Sequence, residues 1–255
     1  MALAIGYNVS KANELMQDIN TAFKNLEGKI YSNWPTLRTK LQTEWVGEDE
    51  QDFETKFAET ICNMYVNAGN VAQYAINIIE NVTNEWYKFQ QGNTLSGDAS
   101  TGNSGGFLGI GGNKFNLDVP KINPNEKIIQ AQLVQLTDST DRGLTSESSA
   151  TNIKSSVEEF VNQTKNDTKA LFDTIDTGSA FFGSQTSAIK SLIEKAGESI
   201  STVTVAVKNL YDALDTLANT NYTTSNDNVS SSISSDAITN METQVEGAVG
   251  TSRWS

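Results

Sequence analysis

The sequence predicts an all-α protein, an elongated four-helix bundle built from two helical hairpins, with a Gly/Ser-rich crossover between them and a polar tail after them. Three observations carry that expectation. Only three prolines in 255 residues accompany long stretches rich in Ala, Leu, Ile, Asn, Gln, Glu and Lys, which is the composition of helices and not of a turn-rich sandwich. Four segments space their apolar residues by threes and fours, the repeat of one helix face. Those segments fall into two pairs, each folded back at a glycine that follows an aromatic residue.

The first segment runs from about Ser10 to Trp45, with Leu15, Ile19, Ala22, Leu26, Ile30, Leu37 and Leu41 on one face. Ser10 is the expected amino-terminal cap. Pro35 removes a backbone donor, so a kink near Tyr31 to Trp34, or a restart capped by Asn33, is expected there. Helical spacing pauses at Trp45-Val46-Gly47 and resumes through Phe57, Ile61, Met64, Ala68, Val71, Ala75, Ile78 and Val82, which makes residues 1–92 a hairpin with a very short turn. Glu48, Asp49, Glu50 and Asp52 sit where carboxylates favour the positive end of the second helix. They lack the alternating ligands and glycine of a calcium loop, so no metal site is expected.

Residues 93–123 read as linker with one short extended piece, Phe115, Leu117 and Val119 alternating. Gly109, Gly111 and Gly112 resemble part of a phosphate-cradling loop, but no strand precedes them and no helix with a Lys-Ser pair follows. Phe107, Leu108 and Ile110 are apolar residues in linker composition, and they either dock on the body or contact a partner or membrane. Asn123, Pro124 and Glu126 then form a helix-start signature, from which a short helix to about Thr137 is expected.

The second hairpin, within residues 124–218, has Ile153, Val157, Phe160, Thr164, Leu171 and Ile175 on its first arm. After the break at Asp176–Gln185, the second arm carries Ile189, Ile193, Ala196, Ile200, Val203, Val207, Leu210, Leu214 and Leu217, a sustained heptad seam. Residues 219–255 are a polar tail with one short terminal helix expected around Ile238, Met241 and Val245. Counted from the turn glycines Gly47 and Gly183, the second arms share their phase, with Phe53, Phe57, Met64, Val71 and Ile78 matching Ile189, Ile193, Ile200, Val207 and Leu214.

Composition bounds the chemistry. The chain has no histidine, which excludes histidine triads, dyads and zinc motifs, and its single cysteine, Cys62, cannot form an internal disulfide or a thiolate metal cage. Cys62 has no basic sequence neighbour to activate it and reads as a small core hydrophobe. A net charge of −13 opposes nucleic acid and anionic membranes. No catalytic residue, cofactor or metal is expected, and the expected partners are proteins or further copies of the chain. The amino terminus has neither the charged nor the apolar region of a signal peptide. Trp34, Trp86, Tyr87 and Trp254 either complete the core or form a patch for a partner.

Leu41, Trp45 and Gly47 in the spacing Leu-x-x-x-Trp-x-Gly, with Phe53 six residues on, resemble the WXG proteins, small helical-hairpin substrates of type VII secretion. The resemblance covers Ser10 to about Phe89. It implies that two hairpins pair into a four-helix bundle, here within one chain, and that a Tyr-x-x-x-Asp/Glu motif late in a second helix directs export without a signal peptide. Tyr211 and Asp215 have that spacing, and Phe181 and Gly183 stand where a second Trp-x-Gly turn would be. This chain is more than twice the family's usual length and its inter-hairpin linker is unusually long. The functional expectation is a non-catalytic, WXG-like exported protein or secretion partner, found outside the cell. A structural component of a large assembly such as a phage virion, or a cytoplasmic protein, is the alternative, and a helical membrane-active protein the second.

Overall fold

The computed structural model describes residues 7–92, 117–133, 143–216 and 218. Four helices, α1 (Val9–Glu44), α2 (Glu48–Gly92), α3 (Ser149–Asp176) and α4 (Thr186–Thr216), form the bundle. A two-residue strand β1 (Trp45–Val46) pairs antiparallel with β2 (Gly143–Leu144), Trp45 opposite Leu144. α1 packs on α3 and α2 on α4, with α2 also touching α3 across the middle. Contacts Lys29–Asp167, Asn33–Gln163 and Glu44–Ser149 run in opposite senses along α1 and α3, so the hairpins are antiparallel and their tips lie at opposite ends. The tip at Gly47 meets the start of α3, while the tip at Gly183 meets the start of α1, where the Phe181 and Tyr7 rings meet edge to face.

The expected seams are the buried faces. On α1, Leu15, Ile19, Leu26, Ile30, Leu37 and Leu41 are buried and Ala22 is half-buried. Phe23 and Trp34 join them, and Trp34 lies among Phe57 and Phe160 as a core residue. All six seam residues of α3 are buried. On α4, Ile193 and Ile200 are half-buried while Ile189, Ala196, Val203, Val207, Leu210 and Leu214 are buried, so this outer helix is enclosed less completely.

Two helix details differ from expectation. The cap of α1 is Asn8, whose side chain accepts from the Lys11 amide at 3.0 Å, two residues ahead of Ser10. α1 also runs unbroken through Pro35. Pro35 and Tyr31 lie on the solvent face, where water can take the Tyr31 carbonyl that proline leaves without a donor.

The larger difference is the crossover. Residues 124–137 were expected to be helical, yet the described part is a turn and a single 3-10 turn, Gln130–Gln132. Residues 117–133 form an extended strap along the first hairpin. Asp118 meets Asn13 and Gln17, the Ile122 amide donates to the Gln73 side-chain oxygen, Pro124 lies over Gly69, and Ile128–Gln130 pass over Cys62. Ile122, Ile128 and Ile129 are buried, so part of the linker belongs to the core. Leu117 and Val119 are half-buried against it. α2 carries a second buried stripe, Ala58, Cys62, Tyr65, Ala72, Ile76 and Ile79, beside the expected one; this second stripe meets the strap at Cys62 and Phe23 of α1 at Tyr65.

Gly69 is the point of closest approach. A Cβ there would clash with the Pro124 ring and stand 2.8 Å from the Phe23 ring, whereas a Cβ at Gly28 in α1 would meet nothing within 4 Å. The same substitution should therefore have opposite signs at the two sites. In urea titrations, Gly69→Ala should destabilise by about 1–3 kcal/mol through overpacking, and Gly28→Ala should stabilise by about 0.5–1 kcal/mol through helix propensity. Equal effects at both sites would contradict the strap.

Candidate functional site

The turn motif, the early α2 acids and the Tyr211–Asp215 pair all lie at one end of the bundle. Trp45 leaves α1 in extended backbone, its N–H still bonded to the Leu41 carbonyl, and β1 is fixed by β2. Its ring is buried, 6.0 Å from Phe53, which stacks on Phe57 at 5.2 Å. Gly47 has φ +130°, a conformation costly for any side chain, and so reverses the chain between α1 and α2. At the other tip Gly183 has φ +53°. There the ring that fills the turn is Phe182, 1% exposed, while Phe181, the expected counterpart of Trp45, is half-buried against Tyr7. The 3-10 turns on either side of Phe182 rotate the chain so that the later ring points inward.

Behind the turn, Glu44 is buried against α3. Ser149 Oγ donates to Glu44 Oε2 at 2.6 Å, Asn152 Nδ2 donates to Oε1 at 3.0 Å, and Lys40 Nζ lies 2.9 Å from Oε1. These hydrogen bonds, Ser149's foremost, hold the Glu44 carboxyl below the ordinary carboxylate range. The Thr145 amide also donates to the Glu44 carbonyl at 3.0 Å.

The early acids of α2 do not behave as one group. Asp52 is exposed and pairs with Lys56. Glu50 and Glu54 instead face inward, one helical turn apart. Arg38 Nε donates to Glu54 Oε2 at 3.0 Å, Gln42 Nε2 donates to Oε1 at 3.1 Å, and Arg38 Nη1 reaches the Gln132 carbonyl of the strap at 2.5 Å. Glu50 is fully buried and neither of its carboxylate oxygens has a hydrogen-bond partner. Burial, with the Glu54 charge second, pushes its carboxyl up to about 8. Glu50 was expected as a helix-start charge, and its burial corrects that reading for this residue. Among the described residues no cluster of three or more acidic or cysteine side chains is placed to hold a metal.

Tyr211 and Asp215 close on one residue of α3. Tyr211 Oη donates to the Lys154 carbonyl at 3.1 Å, the Lys154 ammonium lies 5.4 Å from the Tyr211 ring centre, and it pairs with Asp215. Burial, followed by Glu158, raises the Tyr211 phenol above its ordinary value, so the hydroxyl stays protonated and donating. Beside them, an open groove of about 810 Å³ between α2 and α4 is lined by Trp45, Phe53, Leu210 and Ala213, with Asp52 and Asp212 at its rim.

Of the remaining singled residues, Cys62 is buried beneath the strap, and burial pushes its thiol up from the ordinary value. Trp86 stacks on Tyr7 at 5.9 Å at the far end, beside the exposed Phe89. Phe107, Leu108, Ile110, Leu217, Trp254 and the whole tail lie outside the described residues. Sequence reasoning missed the Glu50–Glu54–Arg38 group and the Glu44 cluster. The signal available for the first was the i, i+4 spacing of the two glutamates on the inner side of α2, which a pattern built from apolar residues passes over. Comparison with known protein families, with curated proteins and with solved structures gives no match.

Two predictions follow from this geometry. Trp45→Ala should cost about 3–5 kcal/mol as loss of a buried ring, and Gly47→Val about 1–3 kcal/mol in backbone strain; thermal melts matching the parent for both would remove the turn from its structural role. For Glu44 the folded carboxyl is held low, so its contribution is present above the ordinary value of 4.5 and is lost as pH falls through the folded value. Ser149→Ala should lower stability at pH 7 by about 1.5–3 kcal/mol, the range for a hydrogen bond to a charged group, and the gap to the parent should shrink on acidification below 4.5. A gap independent of pH would show that Ser149 does not act through the Glu44 charge.

Proposed function

We propose that this is a non-catalytic interaction protein, exported in the manner of WXG proteins, in which one chain supplies both hairpins of the paired bundle. The supporting observation is the turn. Trp45 and Gly47 occupy the tip of a hairpin that packs on a second hairpin of the same chain, with the ring buried and the glycine at positive φ. Glu44 and Tyr211, two of the titratable groups with shifted values, are both engaged in contacts with α3. No helix among the described residues is long and apolar enough to cross a membrane.

A structural role in a larger assembly such as a virion is the second reading, favoured by the 45-residue α2, whose rise makes a rod about 65 Å long. The membrane-tip reading of Phe107, Leu108 and Ile110 concerns residues outside those described and is not developed.

Export is tested at Tyr211 and Asp215, with the Lys154 contact as its control. Tyr211→Ala/Asp215→Ala removes both the motif and the contact to α3, whereas Lys154→Ala removes the ammonium and keeps the motif. The double variant should accumulate inside the producing cell and Lys154→Ala should appear outside at the parental level, read by immunoblot of cells and medium. Parental export of the double variant overturns the secretion reading. Equal retention of Lys154→Ala also overturns it, because the packing of α4 would then account for the loss.

A further inference from the structure

The Glu50–Glu54–Arg38 group has an unbalanced inventory. Two carboxyl groups face one guanidinium, whose partners include Glu54 and the Gln132 carbonyl at the end of the strap. Glu54 has a donor on each oxygen. Glu50, fully buried, has none, and the Gln132 side-chain oxygen is a second buried acceptor without a donor. An ionised carboxylate buried without a hydrogen bond is costly, whereas a protonated one carries no charge and brings a donor of its own.

We infer that Glu50, Glu54 and Arg38 are a pH-sensitive latch on the strap, closed over α2 when Glu50 is protonated and released at Ile128–Leu133 when both carboxyl groups are charged. The charged neighbours that act on Glu50 are Glu54 from its own helix and Arg38 from α1. Gln42 from α1 is neutral, and the Lys40–Glu44 pair is engaged with α3. The strap brings the Gln132 carbonyl, while its Lys127 and Glu126 are exposed. The wall that yields is the strap and not a helix. α1 is held by the core seam from Ala12 to Leu41 and α2 from Phe53 to Val82, while the described end of the strap is a single 3-10 turn and Leu133.

The sign follows from linkage. With Glu50 pushed up to about 8 in the closed form against an ordinary value of 4.5, the closed form is favoured fully below 4.5, and that preference is lost as pH rises through 8. The difference between the two values allows a change in the open-to-closed ratio of up to about a thousandfold across that window.

Cys62 is the reporter, because it is the chain's single cysteine and the strap backbone covers it. The rate of its reaction with 4,4′-dithiodipyridine is measured in the full chain and in Glu50→Gln from pH 6 to 9. Thiol ionisation is common to both proteins and cancels in the ratio of rates. That ratio, parent over Glu50→Gln, should rise at least about tenfold over the range; a flat ratio overturns the latch. In the parent alone, amide exchange corrected for its intrinsic pH dependence should show protection falling at residues 128–133 while α1 residues 15–30 remain protected. Equal loss in both regions overturns the proposal in favour of global loosening, and so does unchanged protection at 128–133. Neither readout involves export, so failure here leaves the secretion reading standing.

Discussion

A single helix, α2, is buried on two sides, and the other elements are placed by that constraint. Its first stripe, Phe57, Ile61, Met64, Ala68, Val71, Ala75 and Ile78, lies beside a second, Ala58, Cys62, Tyr65, Ala72, Ile76 and Ile79, in which Tyr65 stacks on Phe23 of α1 and Cys62 lies under the strap. Covering so wide an apolar arc takes a further layer, since each large side chain left exposed forfeits about 1.5–3 kcal/mol of burial. The strap supplies it with Ile122, Pro124, Ile128 and Ile129. Small residues make the fit possible, because the extended chain can approach α2 only where Gly69 leaves room for the Pro124 ring.

Closing both sides of α2 brings carboxyl groups into the interior at the Gly47 end, and three acids are accommodated by different means. Glu44 is held charged by Ser149, Asn152 and Lys40. Glu54 has a donor on each oxygen, Arg38 and Gln42. Glu50 has no donor and is pushed towards its neutral form. These groups also join elements distant in sequence, Glu44 linking α1 to the start of α3 and Arg38 linking α1 to the strap. Apolar seams allow helices to slide by a heptad, whereas a buried carboxylate with two specific donors fits one register.

What was legible in the sequence was whatever depends on periodicity. The α3 seam from Ile153 to Ile175 could be read residue by residue, because a helix buried on one face repeats at 3.6. The Trp45-Val46-Gly47 reversal was legible because glycine marks a backbone that other residues avoid. The crossover was not. Asn123, Pro124 and Glu126 form a sound helix-start pattern, but Pro124 and Ile128–Ile129 gain more by lying flat on α2 than a short isolated helix gains from its own hydrogen bonds. The second turn misled in a similar way, since adjacent phenylalanines offer two candidates for one buried place and only the 3-10 geometry selects Phe182. The Glu50–Glu54 pair was hidden because its residue type is expected outside, and the signal of its burial lay in contacts with Arg38, 16 residues from Glu54, which itself reaches Gln132, 94 residues further on, in neither of the patterns being read.

The same reasoning bears on why both hairpins belong to one chain. Two separate hairpins with matching seams pair through whichever faces are apolar, and self-pairing competes with the correct partner. Here the second hairpin is guided by the segment that precedes it: the strap lies along the first hairpin, β2 pairs with β1, and α3 starts on Glu44. Each contact fixes the chain a few residues ahead of the next, so α3 meets α1 at high effective concentration and in one orientation. The covalent link thus selects the partner before the seams meet, and the buried acids at the Gly47 end fix the register in which they do.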